Sequence, residues 1–270
     1  MTVDAAALAR LLAGARVVDL AHPLVQGMPQ SPNHPPYRLA LQRRHGDHVR
    51  PDGGSAANEI IVTGGHVGTH IDALCHVSQA GLLYGGIDAT EAQRGGRFNQ
   101  LGVETVAPLL GRGVLLDIAA HRGVETLPAA TPITAAELES CSRGGRVEVR
   151  ADDVVLIRTG WARLWDDCSA FIGHDSGVPG VDVSGARWLA AKRVRAVGSD
   201  TIAFEVVPAG AGHAVLPVHR VLLFENGIHI IETLQLEELA SARVREFAIV
   251  VVPLPLAGAT GSPVRPLALL

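Results

Sequence analysis

The chain has 270 residues, of which 47% are hydrophobic and 19% charged, and its formal net charge is −4. This composition supplies a substantial core and excludes an intrinsically disordered chain. With no broad basic field and aromatics at only 4%, it also argues against a nucleic-acid partner. Three cysteines at wide spacing, with no CxxC pair, exclude a disulfide framework and a thiolate zinc cluster. Cys141 and Cys168 read as ordinary reduced residues. The N-terminal stretch has no cationic segment leading into a sustained apolar one, and the longest apolar runs, such as 247–252, are too short for a membrane span. The expectation is a cytoplasmic protein with no membrane partner.

In chain order, residues 5–12 read as a short helix and 16–20 as a strand. The strand leads into the loop PLVQGMPQSPNHPPY, which carries five of the 16 prolines. An irregular connection of that length is either functional or a rigid surface crossing. The run VLLDI (114–118) reads as a buried strand. Thr134 with Glu137 three residues on has the pattern of a reciprocal N-terminal cap for a helix. Residues 154–158 form a further strand, ending in a Thr159-Gly160-Trp161 turn. DVSGARWLAAKR (182–193) reads as an amphipathic helix feeding the strand VRAVG (194–198). Residues 227–232 are a strand, LQLEELAS is helical, and FAIVVV is another strand. Interleaved strands and helices give the α/β class. No repeat or linker divides the chain, so residues 1–270 read as one domain.

The segment HVGTHIDALCH (66–76) concentrates polar groups in an apolar setting. Gly64, Gly65 and Gly68 argue against a helix. In an extended chain, side chains alternate with a period of two. His66, His70 and Asp72 then share one face, with Gly68 leaving room for an ion or substrate, and Val67, Thr69 and Ile71 face inward. Two imidazoles and a carboxylate suit Zn²⁺, Mn²⁺ or Fe²⁺; the alternative is a polar cluster of purely structural origin. His76 returns toward this group if the chain turns after Asp72, as a ligand or a proton carrier. Cys75 reads as a packing residue.

A second group lies in HAVLPVHRVLLFENGIHIIET, which holds His213, His219, Glu225, His229 and Glu232. Alternation after Gly227 puts Glu232 on the face of Ile228 and Ile230. A buried carboxylate is costly unless it is paired or metal-bound, so Glu232 is the stronger ligand candidate, with His219 ahead of a buried run. Glu225 reads as a solvated turn residue.

HVGTHIDALCH resembles the HxGTHxDxxxH signature of the cyclase family of metal-dependent hydrolases, which includes bacterial kynurenine formamidase and isatin hydrolase. Every fixed position is present. Val18-Asp19-Leu20, His22-Pro23-Leu24, Arg158-Thr159-Gly160-Trp161, Gly198-Ser199-Asp200-Thr201 and His219-Arg220 continue the likeness in order along nearly the whole chain. The resemblance implies a swivelling β/β/α domain with a mixed β core and flanking helices, assembled as a homodimer or higher homo-oligomer. It implies His66, His70 and Asp72 as metal ligands, His219 and Glu232 completing a second metal position, and His76 as general acid/base. The cofactor implied is a divalent ion, Mn²⁺ or Zn²⁺, one or two per subunit. Leu74 stands where the formamidases usually carry proline, and Gln30-Ser31 where they carry a tryptophan. These departures, and the His219–Glu232 spacing, turn the likeness toward the isatin hydrolase-like members.

A divalent ion lowers the pKa of a bound water toward 7 and polarises a scissile carbonyl, while a histidine can carry the proton to a leaving nitrogen. The chain has no GxSxG nucleophile motif. The expected activity is therefore hydrolysis of a C–N bond in a small cyclic amide, isatin-like, releasing a carboxylate. An arylformamidase is the alternative enzyme, and a catalytically silent metal- or ligand-binding protein the alternative of another class.

Overall fold

Long apolar runs produce strands that are buried on both faces, as strands in a parallel sheet must be. A computed structural model describes residues 4–270. Helix α1 (Ala5–Gly14) is capped by Asp4 and precedes strand β1 (Val17–Asp19). A hairpin of β2 (Arg38–Arg43) and β3 (Asn58–Val62) follows, then β4 (His70–Asp72) and β5 (Leu109–Asp117). Next come α2 (Ala135–Gly144), β6 (Val154–Arg158), α3 (Cys168–Ile172), α4 (Val183–Ala191) and β7 (Ala196–Ser199). Helical turn α5 (Pro217–His219) runs into a π-helix (Arg220–Glu225). The chain closes with β8 (His229–Glu232), α6 (Glu237–Ser241), β9 (Glu246–Val251), β10 (Gly261–Pro263) and β11 (Leu267–Leu269).

Nine strands form one mixed sheet in the order β1-β11-β9-β5-β6-β7-β8-β4-β10. The four central strands, β5 to β8, pair in parallel, and β4 joins β8 antiparallel. Side chains alternate across the sheet into two cores. Leu115, Leu156, Ile231 and Ile71 face one. Leu116, Ile157, Val197 and Ile230 face the other, beneath α2 and α4 through Leu138, Ala186 and Leu189. The α/β class and the mixed core with flanking helices are thus present.

Several local expectations change. The strand expected over 114–118 starts at Leu109 and stops at Asp117, whose carboxylate accepts the Ala120 N–H at 3.0 Å and caps a helical turn. Thr134 caps α2, but the side chain of Glu137 turns to Arg122 instead of reaching back to the cap, so only half of the reciprocal pattern forms. The hairpin of β2 and β3 was not foreseen. Every residue in it is exposed, so it lacks the buried face that produces a one-sided apolar alternation. The turn after β6 is tied to the end of β7. The buried Asp200 carboxylate accepts the Thr159 N–H, the Thr159 hydroxyl and the Gly160 N–H at 2.7–2.9 Å. Among the described residues, no helix is long and apolar enough to cross a membrane.

Candidate metal centre

The site begins with a turn, not with the extended chain expected over 64–72. Only His70–Asp72 is a strand; residues 65–69 form turns and bends. Gly68 has φ +68°, where an L side chain is strained, and a Cβ there would collide with Leu24. Its glycine is therefore set by backbone conformation and by Leu24, although it also lines the pocket. The turn folds His66 back over the strand, so that its Nδ1 lies 2.8 Å from Asp72 Oδ1. A second close approach holds the ring from the side. A Cβ on Gly261 would lie 2.5 Å from His66 Cε1, and the neighbouring Thr260 Oγ1 is 2.8 Å from His66 Nε2.

Strand pairing supplies the next members. In the antiparallel register of β4 and β8, His70 stands opposite Glu232 and Ile71 opposite Ile231. Directly opposed residues share a face, so His70, Asp72 and Glu232 point together to the side of Ile230. His70 Nε2 is 3.4 Å from Glu232 Oε2 and 3.7 Å from Asp72 Oδ1. His219, at the end of α5, places Nε2 3.1 Å from Glu232 Oε1 and 3.7 Å from Asp72 Oδ2. All six residues singled out in the sequence thus meet. His66, His70, His76, His219 and Glu232 line one pocket, with Asp72 only 1% exposed beneath them.

Each imidazole is oriented by its other nitrogen. The His70 Nδ1–H donates to Gly68 O at 2.8 Å, which leaves the Nε2 lone pair facing the carboxylates. His219 Nδ1 is 2.7 Å from Glu205 Oε1, and Glu205 also accepts the backbone N–H groups of Val218 and His219. For His66, a bond to Thr260 through Nε2 leaves Nδ1 facing Asp72. An outer partner of this kind fixes both tautomer and ring plane in metal-ligating histidines.

The residues fit a divalent ion. Asp72 Oδ2 and Glu232 Oε1 are buried without a hydrogen-bond partner. Groups of this kind are rare in native proteins and destabilising unless compensated. Ligand atoms of Asp72, His219 and Glu232 lie within 4.8 Å of one another, as do those of His66, Asp72 and His76. Asp72 belongs to both triads, so one carboxylate can bridge two positions. The donor set is nitrogen and oxygen, which suits Zn²⁺, Mn²⁺ or Fe²⁺.

Charge in this cluster is strongly shifted. Burial raises the Glu232 carboxyl, but the His219 and His70 imidazoles outweigh it and hold the pKa down to about 2. Asp72 is also held below the usual carboxylate range: burial is overcome by the charges of His76, His66 and His70. His219 is carried well above 6.5, because Glu205 and Glu232 outweigh burial. His76 moves the other way. Burial takes it down to about 3 against the pull of Asp72, and the charges of His66 and His219 lower it further. Its ring stacks on His66 with centroids 4.0 Å apart.

Glu205, Thr260 and His34 belong to the site but were not identified in the sequence. Glu205, which orients His219, lies in an irregular stretch after β7 and carries no periodic signal. His34, from the proline-rich loop, stacks on His66 at 5.1 Å and lines the pocket with Gln30, Ser31 and His213. That loop is therefore a wall of the site. The His229 Nδ1–H donates to the backbone carbonyl of Asp72 at 2.9 Å, so it serves the strand pair. Glu225 is exposed and pairs with Arg220. Cys75 is buried in the core.

The Cyclase family model matches residues 18–206. An isatin hydrolase from Roseibium aggregatum is 26% identical over 224 residues, covering 81% of this chain and 76% of that protein. Among solved structures, a novel cyclase superposes with a TM-score of 0.85 at 31% identity, covering 97% of this chain and 91% of its own. Isatin hydrolase A from Ralstonia solanacearum superposes with a TM-score of 0.77 at 24% identity, covering 100% and 98%.

Proposed function

The chain belongs to the Cyclase family, and from that premise we propose that it is a metal-dependent hydrolase that cleaves the C–N bond of a small cyclic amide of the isatin type, releasing a carboxylate. The observation that carries this reading is the pair of orphaned, buried carboxylate oxygens on Asp72 and Glu232, both facing imidazole nitrogens. The isatin hydrolase relative supports the choice of substrate.

His66, His70, Asp72, His219 and Glu232 would hold one or two divalent ions, Mn²⁺ or Zn²⁺. When bound, such an ion supplies a Lewis acid for the carbonyl and lowers the pKa of a coordinated water. The protein does the rest. Thr260, the Gly68 carbonyl and Glu205 engage the other ring nitrogen of each histidine and so hold the ligating nitrogens aimed at the carboxylates. His76, held neutral at pH 7 by burial, accepts a proton from the attacking water and returns it to the departing nitrogen. The proline-rich loop, through Pro29, Gln30 and His34, limits access of bulk water.

A homo-oligomer is part of the same proposal. The hairpin of β2 and β3 exposes Leu39, Leu41, Ile60, Ile61 and Val62, each at least 40% accessible. Leu39, Leu41 and Ile61 share one face of the hairpin and Ile60 and Val62 the other, and apolar side chains exposed on both faces fit burial in a protein interface. Light scattering of the purified chain should give a mass of at least twice 28.3 kDa; a monomer at micromolar concentration would refute it.

The activity is tested by absorbance with isatin, N-formylkynurenine and cyclic imides, before and after chelation. Turnover of isatin or a cyclic imide that needs the ion is the expected result. Turnover of N-formylkynurenine alone would replace the substrate assignment.

A further inference from the structure

The pocket over the metal-facing residues encloses about 30 Å³, room for only a few atoms. Beside it lies a second cavity of about 440 Å³, within the range of small-molecule sites, about 300–1,000 Å³. The two cavities share three lining residues, Ser31, Ile202 and His213. Ser31 Oγ and His213 Nδ1 approach to 3.4 Å at this boundary.

We propose that the larger cavity is the subsite for the body of the substrate, with Ser31 and His213 forming the neck through which the scissile carbonyl reaches the metal-facing residues. The inference rests on the hydrolase reading for the reacting end, but the subsite is argued from volume and lining alone. Its walls are Ile172 from α3, Val178, Ile202, Val207 and Ala211. Val178 and Val207 are among the buried core residues. Among the described residues, no Arg, Lys, Asp or Glu lines it. An amino-acid amide would find no carboxylate there to pair with its ammonium, which is unfavourable. The subsite therefore selects an uncharged apolar body, and its volume accommodates a ring with added alkyl groups. The walls come from the proline-rich loop, from α3 and the segment that follows it, and from the loops after β7, all outside HVGTHIDALCH, so body and reacting end are chosen by separate parts of the chain.

The test uses the metal-loaded protein and 4-alkylbenzoates from methyl to butyl, titrated by calorimetry. The carboxylate stands in for the product carboxylate at the metal end, and the alkyl group samples the larger cavity. Affinity should rise about fourfold with each methylene, the value for burying one CH₂. Ala211→Trp, at an exposed position on the cavity wall, should cut the gain from methyl to butyl at least tenfold. Ile172→Trp, from another element, should do the same and guards against a local folding fault in the first variant. Affinity that stays flat from methyl to butyl, or a gain unchanged in both well-folded variants, overturns the proposal. If the gain appears but no amide is turned over, the hydrolase reading fails and the subsite stands.

Discussion

The floor and the roof of the site are built differently. The floor is β4 and β8, where His70, Asp72 and Glu232 are locked by strand register and are at most 5% exposed. The roof comes from loops, residues 29–34 and 202–216, with Gln30, His34 and His213 only partly buried. Three of the five groups that would hold an ion sit on the sheet, with His66 on the adjoining turn and His219 on α5, whereas groups that meet the substrate sit on loops, whose sequence can vary without disturbing the core. If that division is right, floor variants should remove the chemistry and roof variants should change what is hydrolysed.

The largest effect should come from Asp72, which faces both ligand groups. Asp72→Ala should lose bound metal and all measurable turnover, as read by elemental analysis and the isatin assay. His76→Ala keeps the ligand cluster but removes the proton carrier, so metal content should hold while kcat falls about 10²- to 10⁴-fold. Loss of the metal in that variant would move His76 among the ligands, where its place beside His66 and Asp72 also puts it.

Glu205 tests the layer behind the floor. Glu205→Gln keeps the shape but weakens the orientation of His219, and metal affinity should fall about 10- to 100-fold, measured by competition with a chelator. An unchanged affinity would show that the His219 ring plane is set by packing alone.

Proton linkage is smaller and follows from His219. Its pKa is raised in the folded, metal-free protein, so protonation stabilises the fold fully below the unfolded value near 6.5. That contribution disappears as pH rises through the folded value. The metal-free protein should therefore lose thermal stability as pH is raised above about 6.5, and a divalent ion, which replaces the proton on Nε2, should restore it. Metal uptake at pH 7 should release protons, seen as buffer-dependent heats in calorimetry. A melting temperature that rises over that pH range without metal would contradict the sign.

The half of the site around β4 was legible in the sequence because its residues are close together: His66, His70, Asp72 and His76 span eleven positions. The reason for their convergence was not. Alternation accounts for His70 and Asp72, which lie in a strand, whereas His66 arrives through a turn that needs Gly68 at positive φ. Glu232 followed from its neighbours Ile228 and Ile230, both of which are buried. Glu205 and Thr260 could not be found this way, since each meets its histidine only through long-range packing. The roof was legible only as an irregular proline-rich loop; His34 joined the site when that loop folded over His66. The absence of a tryptophan at Gln30-Ser31 was visible, and the pocket wall there is indeed polar.

The most direct measurement puts metal content and turnover on one preparation. Purified protein stripped by a chelator should be folded and inactive, and activity should return in proportion to the Mn²⁺ or Zn²⁺ bound when the ion is added back. Undiminished hydrolysis by folded protein shown to hold no metal would contradict the role assigned to His66, His70, Asp72, His219 and Glu232.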